Sequence, residues 1–198
     1  MNINIGDLLA IQIEYDVPER KYHRWSHIQK MFSNANEYDL CLSGSQQLAI
    51  IFHDLVCVPG QCGLNEFHSA ILADKYIRKN NACVNSETVK LCISSTIGHI
   101  PLCDEAAVVV DLDVLILASD LDEYWSYSKA IREEHSFLSE ELWVKGRVKF
   151  LEEMLKRKNL FLCSCFLQLN KNAHENISYE LDMLKKTDVN EIGVKELV

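Results

Sequence analysis

Turn-forming residues are scarce in this chain. Its 198 residues include seven glycines and three prolines, too few for the many tight turns of a β-sandwich or barrel. No apolar run approaches the roughly 20 residues of a membrane-spanning helix, and residues 1–7 lack the basic start and apolar stretch of a secretion signal. These absences favour a helical protein and predict a cytoplasmic location with no membrane partner.

Positive charge is also in short supply. The chain has 29 acidic and 20 basic residues and a formal net charge of −9, whereas non-specific binding to nucleic acid requires a broad cationic surface. We therefore expect no such binding. A small phosphorylated ligand is compatible with this charge, because a metal ion and a few Arg or Lys side chains can dominate one pocket.

Paired cysteine motifs are absent as well. None of the eight cysteines forms the Cys-x-x-Cys pairs of a zinc ribbon. We expect reduced thiols in a cytoplasmic protein, several of them packed as small hydrophobic side chains.

What the chain does contain is a series of periodic segments that predict an all-α fold. No repeat or Pro/Gly/Ser-rich linker divides it, so we predict one domain over residues 1–198, with a core of about 15–165 and a helical tail of about 166–198. The stretch 108–117 is ambiguous because its β-branched residues allow a buried strand, but no partner strand is evident and we predict a helix. The other predicted helices cover residues 22–32, 48–56, a segment capped by Asn65, 88–97, 122–158 and one or two stretches of 159–198.

The most informative segment is the apolar run Leu48–Val56, which contains His53 and Asp54 side by side. A polar pair in such surroundings is costly to bury unless something compensates it. A divalent metal ion compensates both side chains at once, because imidazole and carboxylate are common metal ligands. Neighbours on a helix point about 100° apart, so the helix must present both from its end or edge. The alternative is a core histidine bonded to a carbonyl, with Asp54 facing solvent.

Two further segments carry groups of the same chemistry. His23 and His27 are four residues apart, so a helix would place them on one face, where both can bind a metal or one can contact substrate. Asp111 and Asp113 lie among valines and leucines, where a cation or hydrogen-bond donors are needed to keep them ionised. We expect one of them to complete the site and prefer Asp113. An exposed histidine pair and an ion-paired or capping aspartate are the structural alternatives.

Taken in order, these motifs resemble those of the HD superfamily of metal-dependent phosphohydrolases. More narrowly, the chain resembles predicted bacterial members with an Arg-x-Tyr-His-x-x-x-His-Ile start, and the resemblance covers about residues 15–176. The matching segments are Arg20–Ile28, Phe52–Asp54, Asn65–Ala70, Asp111–Leu117, Tyr127–Glu134 and Gly146–Arg147. Two positions depart from the family pattern: His135 stands where Tyr is usual, and Glu19 where His is frequent.

The resemblance implies a single-domain, all-helical HD fold that binds a divalent metal ion. The implied ligands are His27, His53, Asp54 and Asp113. Nitrogen and oxygen ligands suit Mn²⁺, Fe²⁺, Mg²⁺ and Zn²⁺ alike, so the identity of the ion is open.

Other polar residues are candidates for contact with water or substrate. Asp54, as a ligand beside His53, and Glu66, near the metal motif, are candidates to accept a proton from water, although Glu66 is equally well explained by the dipole of its helix. Arg20 and Lys21 can hold a phosphate, and His23 can meet the substrate. Two further histidines, His68 and His99, could contact the ligands of the metal ion or bind a second ion, but each is better explained as a surface or loop residue.

These features predict an enzyme that hydrolyses a phosphate ester of a nucleotide or small phosphorylated metabolite through a metal-activated water. One alternative is a non-catalytic ligand-binding or interaction protein that retains the HD fold. Another is a di-iron oxygenase, for which His68 and His99 would be the extra ligands. The substrate, the number of ions and the oligomeric state are left open.

Overall fold

The computed structural model describes the backbone of residues 3–195 and the side chains of residues 3–186. All regular structure in this part of the chain is helical, so the predicted all-α class is confirmed. The α-helices are α1 (Ile5–Tyr15), α2 (Trp25–Glu37), α3 (Gly44–Phe52), α4 (Leu64–Lys79), α5 (Ser86–Ser95), α6 (Ala106–Val114), α7 (Leu121–Glu134), α8 (Glu140–Leu155) and α9 (Asn170–Lys195). Short 3₁₀ turns cover Leu115–Ala118 and Ser164–Leu169.

The chain divides into two compact units, Met1–Val114 and Leu115–Val198. The first unit contains α1 to α6 and the second contains α7 to α9. One domain over residues 1–198 stays a prediction. None of the described helices combines the length and the apolar character needed to cross a membrane.

In the first unit, α3 is the central element. It starts at Ser43, whose hydroxyl accepts from the backbone N–H of Gln46 while the Gln46 side chain accepts from the backbone N–H of Ser43, a reciprocal cap that fixes the first turn. From Leu48 to Phe52 every residue of α3 is buried. Helices α2, α4, α5 and α6 all pack against α3, which explains why its apolar run shows no polar face.

The end of α3 is held from outside the helix. The last carbonyls of a helix have no partner within it. Here the Tyr15 hydroxyl donates to Ile51 O at 2.9 Å, and the Arg20 guanidinium donates to Asp54 O and Leu55 O, each at 2.7 Å. One carbonyl in the last turn of α3 and two carbonyls just beyond the helix are therefore satisfied, which fixes the residues that follow Phe52.

The second unit is organised around a buried ion pair. Arg147 on α8 makes two hydrogen bonds to Glu180 on α9, at 2.8 and 2.9 Å. The same carboxylate accepts from Tyr124 Oη at 2.5 Å and Ser128 Oγ at 2.8 Å, both on α7. One carboxylate thus connects all three α-helices of this unit.

The predicted elements agree with the structure in kind and differ in their ends. Residues 108–117 form the end of α6 and a 3₁₀ turn, so helix rather than strand is confirmed. The stretch 122–158 is two helices, because the chain turns at residues 135–139 before Ser139 caps α8. The sequence interpretation had no helix before residue 22, yet α1 occupies Ile5–Tyr15 with Asn4 as its cap.

Two local predictions are wrong. Asn65 does not cap α4: its side chain bonds the backbone N–H and carbonyl of Val58, and Gly63, at φ 86°, is the cap instead. His23 is not on a helix with His27, because α2 begins at Trp25. The Asp16 carboxylate accepts from the Trp25 N–H at 3.3 Å, which fixes the start of the helix two residues beyond His23.

Candidate metal centre

Three segments of the first unit bring four potential metal ligands together. His27 lies in the first turn of α2, His53 and Asp54 follow directly after α3, and Asp113 lies near the end of α6. One ligand atom of each residue can be chosen so that all four lie within 4.8 Å of one another. This group can hold a metal ion, and it is the same set that the resemblance to HD phosphohydrolases implied.

Asp113 is at the centre of the group. Its Oδ1 lies 3.1 Å from His27 Nε2 and 3.5 Å from His53 Nε2. On the other side, His53 Nε2 lies 3.0 Å from Asp54 Oδ2. Both imidazoles are buried, while the two carboxylates are partly accessible, so the site is closed on its histidine side and reachable on its carboxylate side.

The hydrogen bonds of His53 identify the free atom of its ring. Its Nδ1 lies 2.9 Å from the carbonyl of Ile50, and since a carbonyl only accepts, Nδ1 carries a proton. Nε2 is buried and has no hydrogen-bond partner, because the nearby carboxylate oxygens are not aligned with it. An unpaired buried nitrogen is costly in a protein interior. A neutral imidazole oriented in this way is ready to donate its Nε2 lone pair to a metal ion.

The two carboxylates of the group favour a positive charge between them, as the pKa shifts of His53, Asp54 and Asp113 indicate. Burial lowers the pKa of His53, but the charges of Asp54 and Asp113 outweigh it, so that pKa lies well above its ordinary value. Burial raises the pKa of Asp113, but the charge of the nearby His53 and the hydrogen bond with His27 hold it well below its ordinary value. For Asp54, burial is likewise outweighed by the charges of His53 and His23, and its pKa is lowered. A proton on His53 or a cation in the site would each compensate the negative charge of Asp54 and Asp113.

The choice between the two aspartates of α6 is clear from their positions. Asp113 belongs to the four-residue group, whereas Asp111 is fully buried and lies outside it. The two residues are about 200° apart around the helix axis, which explains why only one of them can face His27 and His53.

Glu66 and His68 lie on the first turns of α4. The Glu66 carboxylate accepts from the Gly63 N–H at 2.6 Å and so completes the cap of its own helix, in agreement with the dipole explanation. His68 is exposed, with its ring against that of Phe67. A role for Glu66 as a proton acceptor stays a prediction.

The three predicted substrate contacts differ in exposure. Arg20 is buried, lies over the Tyr15 ring at 4.9 Å, and directs its guanidinium to backbone carbonyls that include that of His23 at 3.1 Å. Lys21 is exposed, with Nζ 2.7 Å from Pro18 O. His23 is partly exposed and close enough to Asp54 to lower its pKa. Contact of these residues with phosphate stays a prediction.

Three residues near the group lie outside the predicted site: Tyr15 and Ser69, which no sequence pattern marks, and His99, for which a loop position was the preferred explanation. Tyr15 supports the end of α3, and Ser69 Oγ accepts from the Val56 N–H at 3.0 Å. His99, expected to be a simple loop histidine, has its Nε2 3.5 Å from Asp113 Oδ2. None of the three follows from a spacing pattern, since each reaches the site through the packing of a distant segment.

No protein-family model matches the chain, and no curated protein and no solved structure is significantly similar to it. The evidence for a metal centre is therefore the arrangement of His27, His53, Asp54 and Asp113 itself.

Proposed function

We propose that the first unit binds one divalent metal ion and hydrolyses a phosphate ester of a small, nucleotide-like compound. The observation that carries this proposal is the buried, unpaired Nε2 of His53, which faces two carboxylates and a second imidazole. With neutral histidines and ionised aspartates, the four residues carry two negative charges, and a divalent cation balances them.

The donor set suits hydrolysis more than a structural role for the metal. Structural zinc sites are usually closed and rich in cysteine, whereas this group has nitrogen and oxygen donors and a partly accessible carboxylate side. Mn²⁺, Fe²⁺, Mg²⁺ and Zn²⁺ are all compatible with such donors. An ion bound there would supply a Lewis acid for a phosphoryl oxygen and a water nucleophile at neutral pH.

The residues around the ion have separate roles in this proposal. His53, fixed by its bond to Ile50 O, keeps one ring nitrogen available, and His27 and Asp113 close the buried side. Asp54, with its lowered pKa, stays ionised and is in place to take a proton from water. Lys21 and His23 are accessible cations or donors for the non-bridging oxygens of the substrate.

The test compares two histidine variants of the full chain. The wild type, His53→Ala and His68→Ala are stripped with a chelator, reloaded with Mn²⁺, and assayed for metal content and for hydrolysis of nucleotides, cyclic nucleotides and sugar phosphates. We expect one ion per chain and hydrolysis in the wild type and in His68→Ala, and loss of both in His53→Ala.

The other outcomes each contradict part of the proposal. Equal rates in the wild type and His53→Ala would reject the site. Two irons per chain, with oxygen-dependent chemistry, would favour the di-iron alternative. Binding of metal through His53 without hydrolysis of any compound in the panel would favour a non-catalytic binding protein.

A further inference from the structure

His99 has a left-handed backbone conformation, which glycine, the residue type that precedes it, adopts more easily. Its φ is 52°, in the left-handed region, where a side chain beyond Cα meets steric resistance and glycine does not. Gly98 directly precedes it. The other non-glycine residues with positive φ in the described part of the chain are Asp39 and Asn81, whose short polar side chains relieve this cost locally. All three residues follow the end of a helix, and in each case the next N–H, that of Leu40, Ala82 or Ile100, bonds a carbonyl five residues earlier, so this conformation is an ordinary helix end. What distinguishes His99 is the group that its imidazole faces.

The conformation directs the imidazole of His99 to Asp113. Its Nε2 lies 3.5 Å from Asp113 Oδ2, whereas His27 Nε2 and His53 Nε2 lie 3.1 and 3.5 Å from Asp113 Oδ1. The loop that carries His99 is closed by Ser95, whose carbonyl accepts from the Ile100 N–H and whose hydroxyl accepts from the Leu102 N–H, both at 3.0 Å. The position of the ring is therefore set by the backbone and not by side-chain freedom alone.

The two oxygens of Asp113 consequently have different partners. Oδ1 faces the buried histidines of the candidate metal centre, and Oδ2 faces His99 at its accessible edge. A carboxylate contacted on both oxygens has little freedom to rotate about its terminal bond. Partners of this kind, one step removed from a metal, orient the ligand that the metal binds.

We propose that His99 is a positioning residue that fixes the Asp113 carboxylate with Oδ1 directed to the metal ion. This proposal rests on the proposed function of the site. The loop between α5 and α6 would then contribute to metal affinity, although its apolar residues Ile97 and Ile100 are exposed and do not mark it as part of a site.

The decisive variant is His99→Gly, because glycine favours the left-handed backbone while it removes the imidazole. We expect the metal-free variant to melt at the same temperature as the wild type or higher, and its affinity for Mn²⁺ to fall about 10- to 100-fold, as measured by calorimetry or by the Mn²⁺ spin-resonance signal. The visible spectrum of bound Co²⁺ should change with it. His99→Gln, whose amide nitrogen reaches a similar place, should recover most of the affinity.

Asn81→Gly is the matched control. It relieves the same kind of backbone conformation just after α4, at a residue outside the four-residue group, so we expect its Mn²⁺ affinity to equal that of the wild type. Wild-type affinity in His99→Gly would overturn the proposal. So would a lower melting temperature together with no recovery in His99→Gln, since that result describes a structural residue. A second ion in the wild type that is lost in His99→Gly would make His99 a ligand, and a wild type that binds no ion would instead refute the proposed function.

Discussion

At the scale of single residues, the position of one proton decides what His53 can do. The Ile50 carbonyl holds that proton on Nδ1, and Nε2 is buried without a hydrogen-bond partner. A core histidine bonded to a carbonyl was the structural alternative, and the structure contains that bond. The same bond, however, is what leaves the second nitrogen directed at Asp54 and Asp113, so the two explanations describe one arrangement.

The two aspartates of α6 provide the first prediction. Asp113→Asn keeps the shape of the side chain but removes the charge that the ion requires, so we expect binding of Mn²⁺ at micromolar concentration to be lost. Asp111→Asn is the control on the same helix, buried but outside the group, and should retain the affinity of the wild type even where its stability falls. Calorimetric titration of both variants measures this, and the reverse pattern would assign the ligand to Asp111.

Prediction from sequence worked for residues whose chemistry is unusual in their surroundings. His53, Asp54 and Asp113 attracted attention because polar groups are costly in apolar segments, and the structure places them together with His27. Tyr15 and His99 could not be found in this way. A tyrosine on a helix and a histidine after a glycine are ordinary in sequence, and their roles depend on which distant segment the fold brings next to them.

At the scale of the elements, the end of α3 depends on Arg20. Its guanidinium satisfies the carbonyls of Asp54 and Leu55 and lies over the Tyr15 ring. A cation at the carboxyl end of a helix also compensates the helix dipole. This arrangement explains why His53 and Asp54 are presented from the end of the helix, as two adjacent ligands of one ion require.

The second prediction concerns Arg20→Met. The loss of the guanidinium leaves partly buried carbonyls without donors, and we expect a decrease of about 3 kcal/mol in the free energy of unfolding, together with weaker Mn²⁺ binding. Lys21→Met removes a neighbouring exposed cation and should change stability little. Denaturant unfolding and metal titration measure both effects. If Arg20 instead contacts phosphate, Arg20→Met will raise KM while stability and metal affinity stay at wild-type values.

In the second unit, Glu180 connects α7, α8 and α9 and provides a prediction on pH. Burial raises the pKa of Glu180. The hydrogen bonds and charge of Arg147, together with the hydrogen bonds from Tyr124 and Ser128, outweigh this effect and lower the pKa below its ordinary value. A lowered pKa in the folded state means that the carboxylate stabilises the fold above its unfolded-state pKa of about 4.3 and that this contribution is lost as the pH falls through the folded-state value.

We therefore expect Glu180→Gln to be less stable than the wild type by about 3–5 kcal/mol at pH 7, because Arg147 loses its buried partner. Between pH 5 and pH 3 the wild type should lose stability more steeply than the variant. Unfolding followed by circular dichroism at each pH gives both slopes. Glu153→Gln, which removes an exposed partner of Lys156, is the control, and parallel pH profiles for wild type and Glu180→Gln would contradict the assignment.

The helices themselves show where sequence reasoning stops. The apolar residues of 88–97 and 108–117 located α5 and most of α6. The helix predicted over 48–56 was displaced by four residues, because α3 covers Gly44–Phe52 and His53 and Asp54 follow it. The helix ends were predicted less well, because they depend on groups outside the segment. Asp16 fixes the start of α2, and Gly63 rather than Asn65 caps α4. The two helices within 122–158 were predicted as one because no glycine or proline marks the turn at residues 135–139.

At the scale of the whole molecule, the two units neutralise their buried charges in different ways. In the second unit, Arg147 and Glu180 are matched within the chain, and each has its hydrogen bonds satisfied. In the first unit, two carboxylates converge on imidazoles, one of which has an unpaired nitrogen. The first unit is therefore the part of the chain whose stability should depend on what it binds.

Addition and removal of metal provide the last prediction. A ligand that binds the folded state at 100 times its Kd stabilises it by about 2.7 kcal/mol, so Mn²⁺ should raise the melting temperature by several degrees and a chelator should reverse the shift. Hydrogen exchange should slow in peptides from α2, the end of α3 and α6, which carry the four ligands, and stay unchanged in peptides from α7 to α9. Asp113→Asn should show neither effect. An increase of protection spread equally over both units, or the same shift in Asp113→Asn, would place the ion elsewhere on the chain.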